Sequence, residues 1–300
     1  MTHRSRIRIL AAALVLAACS SSSTNVSPPP PPPAPPPPPP PPPSQHLYAG
    51  LLDQPGSIYV YALPITAAST PTAIVPLNAV TALGVNSTTL AAATLDYTVA
   101  FYNLPITSSS VPYATLASGS FGTPLFLPNG TLYHGGTDTI NVYTPPFTAN
   151  SVPSSRIPTP TLTPTSLAID PSGRVYETTG TVNTIGVVTG GALTTKLTAP
   201  FGLAFRSLAA SATQLFVCEE TGSAPHIYVY ALPLTASATP AVIMNVNVSA
   251  PKGCALDASG NLYVSTTGQI VMYTPPFTAS SARAVTLTLP GTVNGIAIGP

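Results

Sequence analysis

The chain has few groups with which to do acid–base chemistry: eight Asp and Glu and four His among 300 residues. Two of them hold a suggestive position. His134 and Glu177 each follow a tyrosine, Tyr133 and Tyr176, where the matching positions of the other repeats read Ala49, Ala92, Val217 and Val264. A histidine beside a carboxylate could pass protons to and from a ligand bound between neighbouring repeats. The plainer reading, and the one preferred, is a hydrogen-bonded structural pair or two solvated side chains. Glu219 and Glu220, adjacent acids after Cys218, could attract a cation or simply face solvent. Asp170 and Asp257 each precede a glycine by three residues, Gly173 and Gly260, and are assigned to tight turns rather than to chemistry. No G-x-S-x-G elbow accompanies the abundant serines, so no hydrolase triad is assigned. Cys218 and Cys254 could pair in an oxidising compartment; two buried free thiols are the expectation, and the sequence leaves the pairing open.

The elements that carry these residues come from one repeated unit. A strand ending in an aromatic residue and followed by proline recurs as Ile58–Pro64, Val99–Pro105, Ile140–Pro146, Ile227–Pro233 and Ile270–Pro276, with a degenerate copy at Ile185–Gly191. Successive copies lie 41 to 45 residues apart. A period in the low forties built from short β segments marks the blades of a propeller. Upstream of the aromatic strand, Leu167 to Tyr176 and Cys254 to Val264 each read as strand, turn, strand; downstream, Pro71 to Val75 and Pro240 to Met244 read as an outer strand. No segment carries a capped helical period. The expected fold is therefore all-β, a six-bladed β-propeller of four-stranded antiparallel blades spanning 47–300. Asn294 to Pro300 supplies an innermost strand without a second strand, and His46 to Ala49 a second strand without an innermost one. Pairing the C-terminal strand with the N-terminal blade should close the ring and remove exposed edges. Tyr61, Tyr102, Tyr143, Tyr230 and Tyr273 share one column and are expected to pack between blades.

Pro251 to Val264, with partial matches at Pro164 to Tyr176 and Pro200 to Phe205, resembles the NHL repeat signature. The resemblance covers about 250 residues as repeat architecture and implies six blades, as in NHL proteins and gluconolactonase-like enzymes. It is informative about fold more than activity. Gluconolactonase-like enzymes hold an axial divalent metal on a Glu, an Asn and an Asp, and Asn294-Gly295-Ile296 resembles their asparagine motif. The glutamate of that family is missing, since Gly50 to Pro55 stands in its place. No cofactor is expected, a divalent metal at Asn294 being the alternative.

The N-terminus reads as an address. Arg4, Arg6 and Arg8 precede an uncharged apolar run, Ile9 to Ala18, which is too short to span a bilayer and has the form of an export signal. Leu16-Ala17-Ala18-Cys19 resembles the lipobox of bacterial lipoproteins, which implies a signal peptide over 1–18 and lipidation of Cys19. Ser20 in the next position implies outer-membrane sorting if the cell is Gram-negative. Residues 19–46 form a Ser/Pro-rich linker in which Pro28 to Pro43 holds fifteen prolines in sixteen positions. Such a run forms a polyproline rod of roughly 50 Å, read as a spacer.

Charge narrows the function. Only 6% of residues are charged, and beyond position 18 the basic residues are Arg156, Arg174, Lys196, Arg206, Lys252 and Arg283. Nucleic-acid binding by counterion release is excluded on that surface. The expectation is a monomeric lipoprotein of the cell envelope, held to the membrane by its lipid. Its propeller would bind or scaffold an envelope protein, a glycan or a small molecule without catalysis. The alternative is a metal-dependent lactonase or lyase with its site at the axial mouth, and the candidate polar residues are His134, Glu177 and Asn294.

Overall fold

Alternating apolar residues rich in Val, Ile, Tyr and Thr become strands wherever a Pro, Gly or Ser/Thr cluster bounds them. The computed structural model describes residues 44–53, 55–120, 122–160, 164–179, 184–198, 205–219, 225–246, 248 and 250–300. Cys19, the expected signal segment and the proline run lie outside the described residues, as do Glu220 and the partial repeat match at 200–204.

Among the described residues, all twenty-two strands are paired antiparallel. Three strands form the N-terminal run: β1 (His46–Leu51), β2 (Ser57–Ala62) and β3 (Ala73–Pro76). The next four-stranded sheet holds β4 (Val80–Val85), β5 (Thr89–Thr94), β6 (Thr98–Asn103) and β7 (Ala114–Ala117). It is followed by β8 (Pro124–Phe126), β9 (Leu132–Gly136), β10 (Thr139–Tyr143) and β11 (Ser155–Pro158). Then come β12 (Pro164–Ile169), β13 (Val175–Thr179), β14 (Thr184–Thr189) and β15 (Ala192–Thr198). The fourth sheet of this kind holds β16 (Phe205–Ala210), β17 (Gln214–Glu219), β18 (His226–Ala231) and β19 (Val242–Asn245). The chain ends with β20 (Gly253–Leu256), β21 (Leu262–Tyr273) and β22 (Val285–Gly299).

The blade count differs from the expected six. Among the described residues the propeller has five blades, four of four strands and one of six in the order β20-β21-β22-β1-β2-β3. The cause is β22, which runs unbroken for 15 residues. Its first half pairs with β21, through Val285↔Met272 to Thr292↔Thr267, and its second half pairs with β1, through Val293↔Leu51 to Gly299↔His46. One strand thus joins what two separate blades were expected to hold, and it joins the two ends of the domain. The two halves of this sheet pack on each other through Leu47, Ala49, Tyr61, Tyr263, Ile270 and Leu287.

The repeat prolines have a common job. Each of the five Tyr-x-x-Pro copies has a cis peptide before its proline. The apolar residue after it, Ile65, Ile106, Phe147, Leu234 or Phe277, is buried. A Thr-x-x-Ser turn follows in four copies, where the serine Oγ accepts the threonine N–H: Ser69 from Thr66 at 2.8 Å, Ser110 from Thr107 at 2.9 Å, Ser151 from Thr148 at 2.9 Å and Ser281 from Thr278 at 2.8 Å. Ala238 replaces the serine in the fifth copy, and only its backbone bond to Thr235 remains, at 3.1 Å. Gly173 and Gly260 sit at φ +85° and +80°, which suits the glycine of each Asp-x-x-Gly turn.

Candidate functional site

Two regions bear on function: a cavity on the axis and the polar side chains buried between sheets. The cavity measures about 480 Å³ and is lined by the inner strands β4, β8, β12, β16, β20 and β22. Asn294 lies in this wall, nearly buried, and its amide is committed at both ends. Its Nδ2 donates to the Thr81 carbonyl at 2.7 Å, tying β22 to β4, and its Oδ1 accepts from the Arg206 guanidinium at 3.5 Å. Lys252 also lines the cavity, immediately before β20. Thr123, Thr165, Ser166 and Ser207 supply hydroxyls, some of which bridge inner strands. The Thr123 Oγ1 donates to the Thr165 carbonyl at 3.2 Å, and the Ser166 Oγ accepts the Leu208 N–H at 3.0 Å. The one oxygen of Asn294 that could ligate a metal faces a guanidinium, and no group of three or more His, Cys, Asp or Glu gathers anywhere among the described residues.

His134 and Glu177 are placed elsewhere and apart. Successive strand residues face opposite sides of a sheet. In β9, Tyr133 packs toward the β12–β15 sheet with Leu167 and Val175, so His134 faces the β4–β7 sheet. In β13, Tyr176 packs toward the β16–β19 sheet with Phe205 and Leu208, so Glu177 faces the β8–β11 sheet. The two residues hold the same column and the same face of consecutive sheets, and therefore lie in consecutive layers, about 10 Å apart by sheet spacing. The structure does not bring them together, and neither is exposed.

Each is instead a buried polar group that leaves at least one polar atom without a hydrogen-bond partner among the described residues. His134 has no exposed surface; its Nδ1 lies 3.3 Å from the Ser120 Oγ, while its Nε2 has no hydrogen-bond partner among the described residues. Burial lowers its pKa to about 4, against a smaller upward pull from a hydrogen bond with the Gly122 backbone. Glu177 also has no exposed surface, and both carboxyl oxygens lack hydrogen-bond partners among the described residues. Burial raises its pKa to about 7, opposed by the positive charge of Lys196. The register runs Leu167, Glu177, Gly186, Lys196 across four strands. Gly186 makes room for the carboxyl, since a Cβ there would sit 2.2 Å from the Glu177 Oε1.

A histidine–carboxylate pair does form, but in the β16–β19 sheet. The Glu219 Oε2 accepts the Tyr228 hydroxyl at 2.9 Å and lies 3.4 Å from the His226 Nδ1. Glu219 is buried, whereas the His226 side chain is partly open to solvent. In sequence Glu219 stands beside Glu220 and eight residues separate Cys218 from Ile227; the hairpin register, with those two opposite each other, is what places His226 beside Glu219. The Asp170 and Asp257 carboxylates serve their turns. Asp170 accepts the N–H groups of Ser172 at 2.8 Å and Arg174 at 3.2 Å and the Tyr176 hydroxyl at 2.8 Å. Asp257 accepts from Ser259 and Asn261 in the same way, each at 2.9 Å, and from Tyr263 at 3.1 Å.

Closed rings of antiparallel blades around an axial cavity define a β-propeller. Among solved structures, the chain is similar to a protein of unknown function from Bacteroides caccae, at 12% identity and a TM-score of 0.63 over 85% of this chain and 98% of that one. It is also similar to the WD40 β-propeller domain of Doa1, at 13% identity and a TM-score of 0.58 over 82% and 80%. A chain of the COPII outer coat vertex on membranes matches at 14% identity and a TM-score of 0.54, over 83% and 76%. No family model and no curated protein matches the sequence. At these identities the likeness concerns the fold.

Proposed function

We propose that the protein is a lipid-tethered binding or scaffolding propeller of the bacterial cell envelope. The observation that carries the binding reading is the axial wall, where amide, hydroxyl and guanidinium groups are spent in bonds that link one inner strand to another. Such a wall makes a rigid disc, and a rigid disc presents its loops in fixed positions to a partner. Propeller neighbours that sit in a mitotic checkpoint complex and in a COPII coat are consistent with a protein partner. The anchoring half of the proposal rests on the Leu16 to Cys19 motif and on the proline-rich run that follows it, read as a spacer.

Crosslinking in intact cells, followed by purification through the propeller and mass spectrometry, tests the binding half. A stoichiometric envelope partner is the expected result; recovery of the propeller alone under all crosslinkers would count against it. Fractionation of the Cys19→Ala variant tests the anchor. The expected outcome is release from membranes, and unchanged membrane association would refute lipidation.

A further inference from the structure

Cys218 and Cys254 meet in the layer between the β16–β19 sheet and the six-stranded sheet. Cys218 is the cross-strand partner of Ser207, so both side chains stand on one face of the β16–β17 pair. The Ser207 Oγ in turn accepts the backbone N–H of Cys254 at 3.0 Å and lies 3.6 Å from its Sγ. Ser207 therefore fixes Cys254 directly opposite Cys218. Both cysteines belong to one apolar cluster with Phe216, Met244 and Val264, and both are reduced in this structure. Burial, and then the adjoining Cys254 thiol, hold the Cys218 thiol well above the ordinary thiol range.

We propose that Cys218 and Cys254 are a disulfide site that joins β17 to β20 and locks the β16–β19 blade to its six-stranded neighbour. The chemistry is exchange with a disulfide oxidant, such as oxidised glutathione or a disulfide-exchange enzyme. One cysteine thiolate attacks the oxidant and forms a mixed disulfide, expelling the first thiol. The second cysteine thiolate attacks that mixed disulfide, forms the Cys218–Cys254 bond and expels the second thiol. Two cysteine thiols are oxidised, one disulfide is reduced to two thiols, and the two protons leave with them. The native thiols are buried and protonated, so they are poor nucleophiles. The bond is thus made while the chain folds, before the two blades close over it. Export supplies an oxidising compartment, which rests on the reading above, but the site itself does not depend on it.

The test refolds the full chain from denaturant in a glutathione redox buffer, traps free thiols with an alkylating agent and maps tryptic peptides. Cleavage after Arg206, Lys252 and Arg283 puts the two cysteines on separate peptides, 207–252 and 253–283. The expected result is one linked pair, two hydrogens lighter than the separate peptides. Folded reduced protein placed in the same buffer should stay alkylatable only after denaturation. Reductant should lower the Tm of the linked protein by roughly 10 °C. The Cys218→Ala, Cys254→Val double variant should lose that redox dependence. Both peptides alkylated in refolded protein of native circular dichroism and melting would overturn the site, as would a link to Cys19 instead. A linked pair after refolding supports it whatever thiols the cell-derived protein shows, because the latter reports on export.

Discussion

The layer in front of the β4–β7 sheet and the two layers that follow it are built on one repeat yet filled differently. Ala92 holds the shared column in the first, buried with Tyr48, Leu90 and Ala100 in an apolar cluster. His134 and Glu177 hold it in the next two, equally buried but polar. A repeat tolerates polarity only where its register neighbours make room for it. Ala92 is flanked in register by Leu83 and Ala100, which fill the space around it. Glu177 is flanked by Leu167 and by Gly186, which leaves a gap for the carboxyl. His134 is flanked by Pro124 and by Asn141, and borrows the Ser120 hydroxyl from a loop. The repeat thus accepts an ionisable group where a neighbour has shrunk or a loop offers an oxygen.

Moving the polar group into the apolar layer should break the molecule. In Ala92→Glu a longer side chain meets Leu83 and Ala100 with no glycine to receive it and no donor to satisfy it. Overpacking and an uncompensated buried carboxyl together should cost about 4 kcal/mol or more. Urea unfolding monitored by circular dichroism measures it. A loss below about 1 kcal/mol would show that the layers are not as different as their side chains suggest.

The second expected effect is a pair of opposed pH dependences. The Glu177 carboxyl, 4.5 in the unfolded reference and about 7 when folded, binds its proton more tightly in the native state. Its contribution is therefore full below about 4.5 and falls as pH rises to 7. His134, 6.5 in the reference and about 4 when folded, binds its proton more weakly in the native state. Its contribution is full above 6.5 and is lost as pH falls to 4. Each swing is worth about 3 kcal/mol at most, and the two slopes cancel between pH 4.5 and 6.5. Glu177→Gln should leave the rising histidine slope exposed, and His134→Gln the falling carboxylate slope, both read from urea midpoints across that range. Identical profiles in wild type and both variants would mean that neither group is held as its burial implies.

How much of this was readable beforehand follows from what each residue needs. The aromatic–proline column and the Asp-x-x-Gly turns are local features, and they led to the correct all-β propeller. The blade count departs from the expected six because it depends on whether one strand breaks. Pro290 and Gly291 are turn formers, yet β22 passes through them. The Thr292 N–H donates to the Asp53 carboxylate there, and the Leu52 N–H donates to the Thr292 carbonyl at 2.9 Å. Those are long-range contacts that no window of sequence displays. The column shared by His134 and Glu177 did mark two polar substitutions in an aliphatic position. That each side chain faces the preceding sheet, so that the two lie in successive layers, is set by the packing of the sheets and not by the column. The pair that does form, Glu219 with His226, required the register of a hairpin whose connecting residues give no such signal.

The smallest expected effect lies in the tyrosine column, where the comparison narrows to one hydroxyl. Tyr102 and Tyr273 occupy equivalent strand positions, and both are buried between sheets. The Tyr273 hydroxyl donates to the Val246 carbonyl at 2.9 Å, whereas the Tyr102 hydroxyl is buried with no hydrogen-bond partner among the described residues. Removing an oxygen that makes a bond leaves a carbonyl short of a donor; removing one that makes none relieves a desolvated group. Tyr273→Phe should therefore cost about 1 kcal/mol, while Tyr102→Phe should be neutral or slightly stabilising. Denaturant midpoints of the two variants, measured side by side, decide it. Equal losses would show that the column is held by ring packing alone and that its hydroxyls do not distinguish one layer from another.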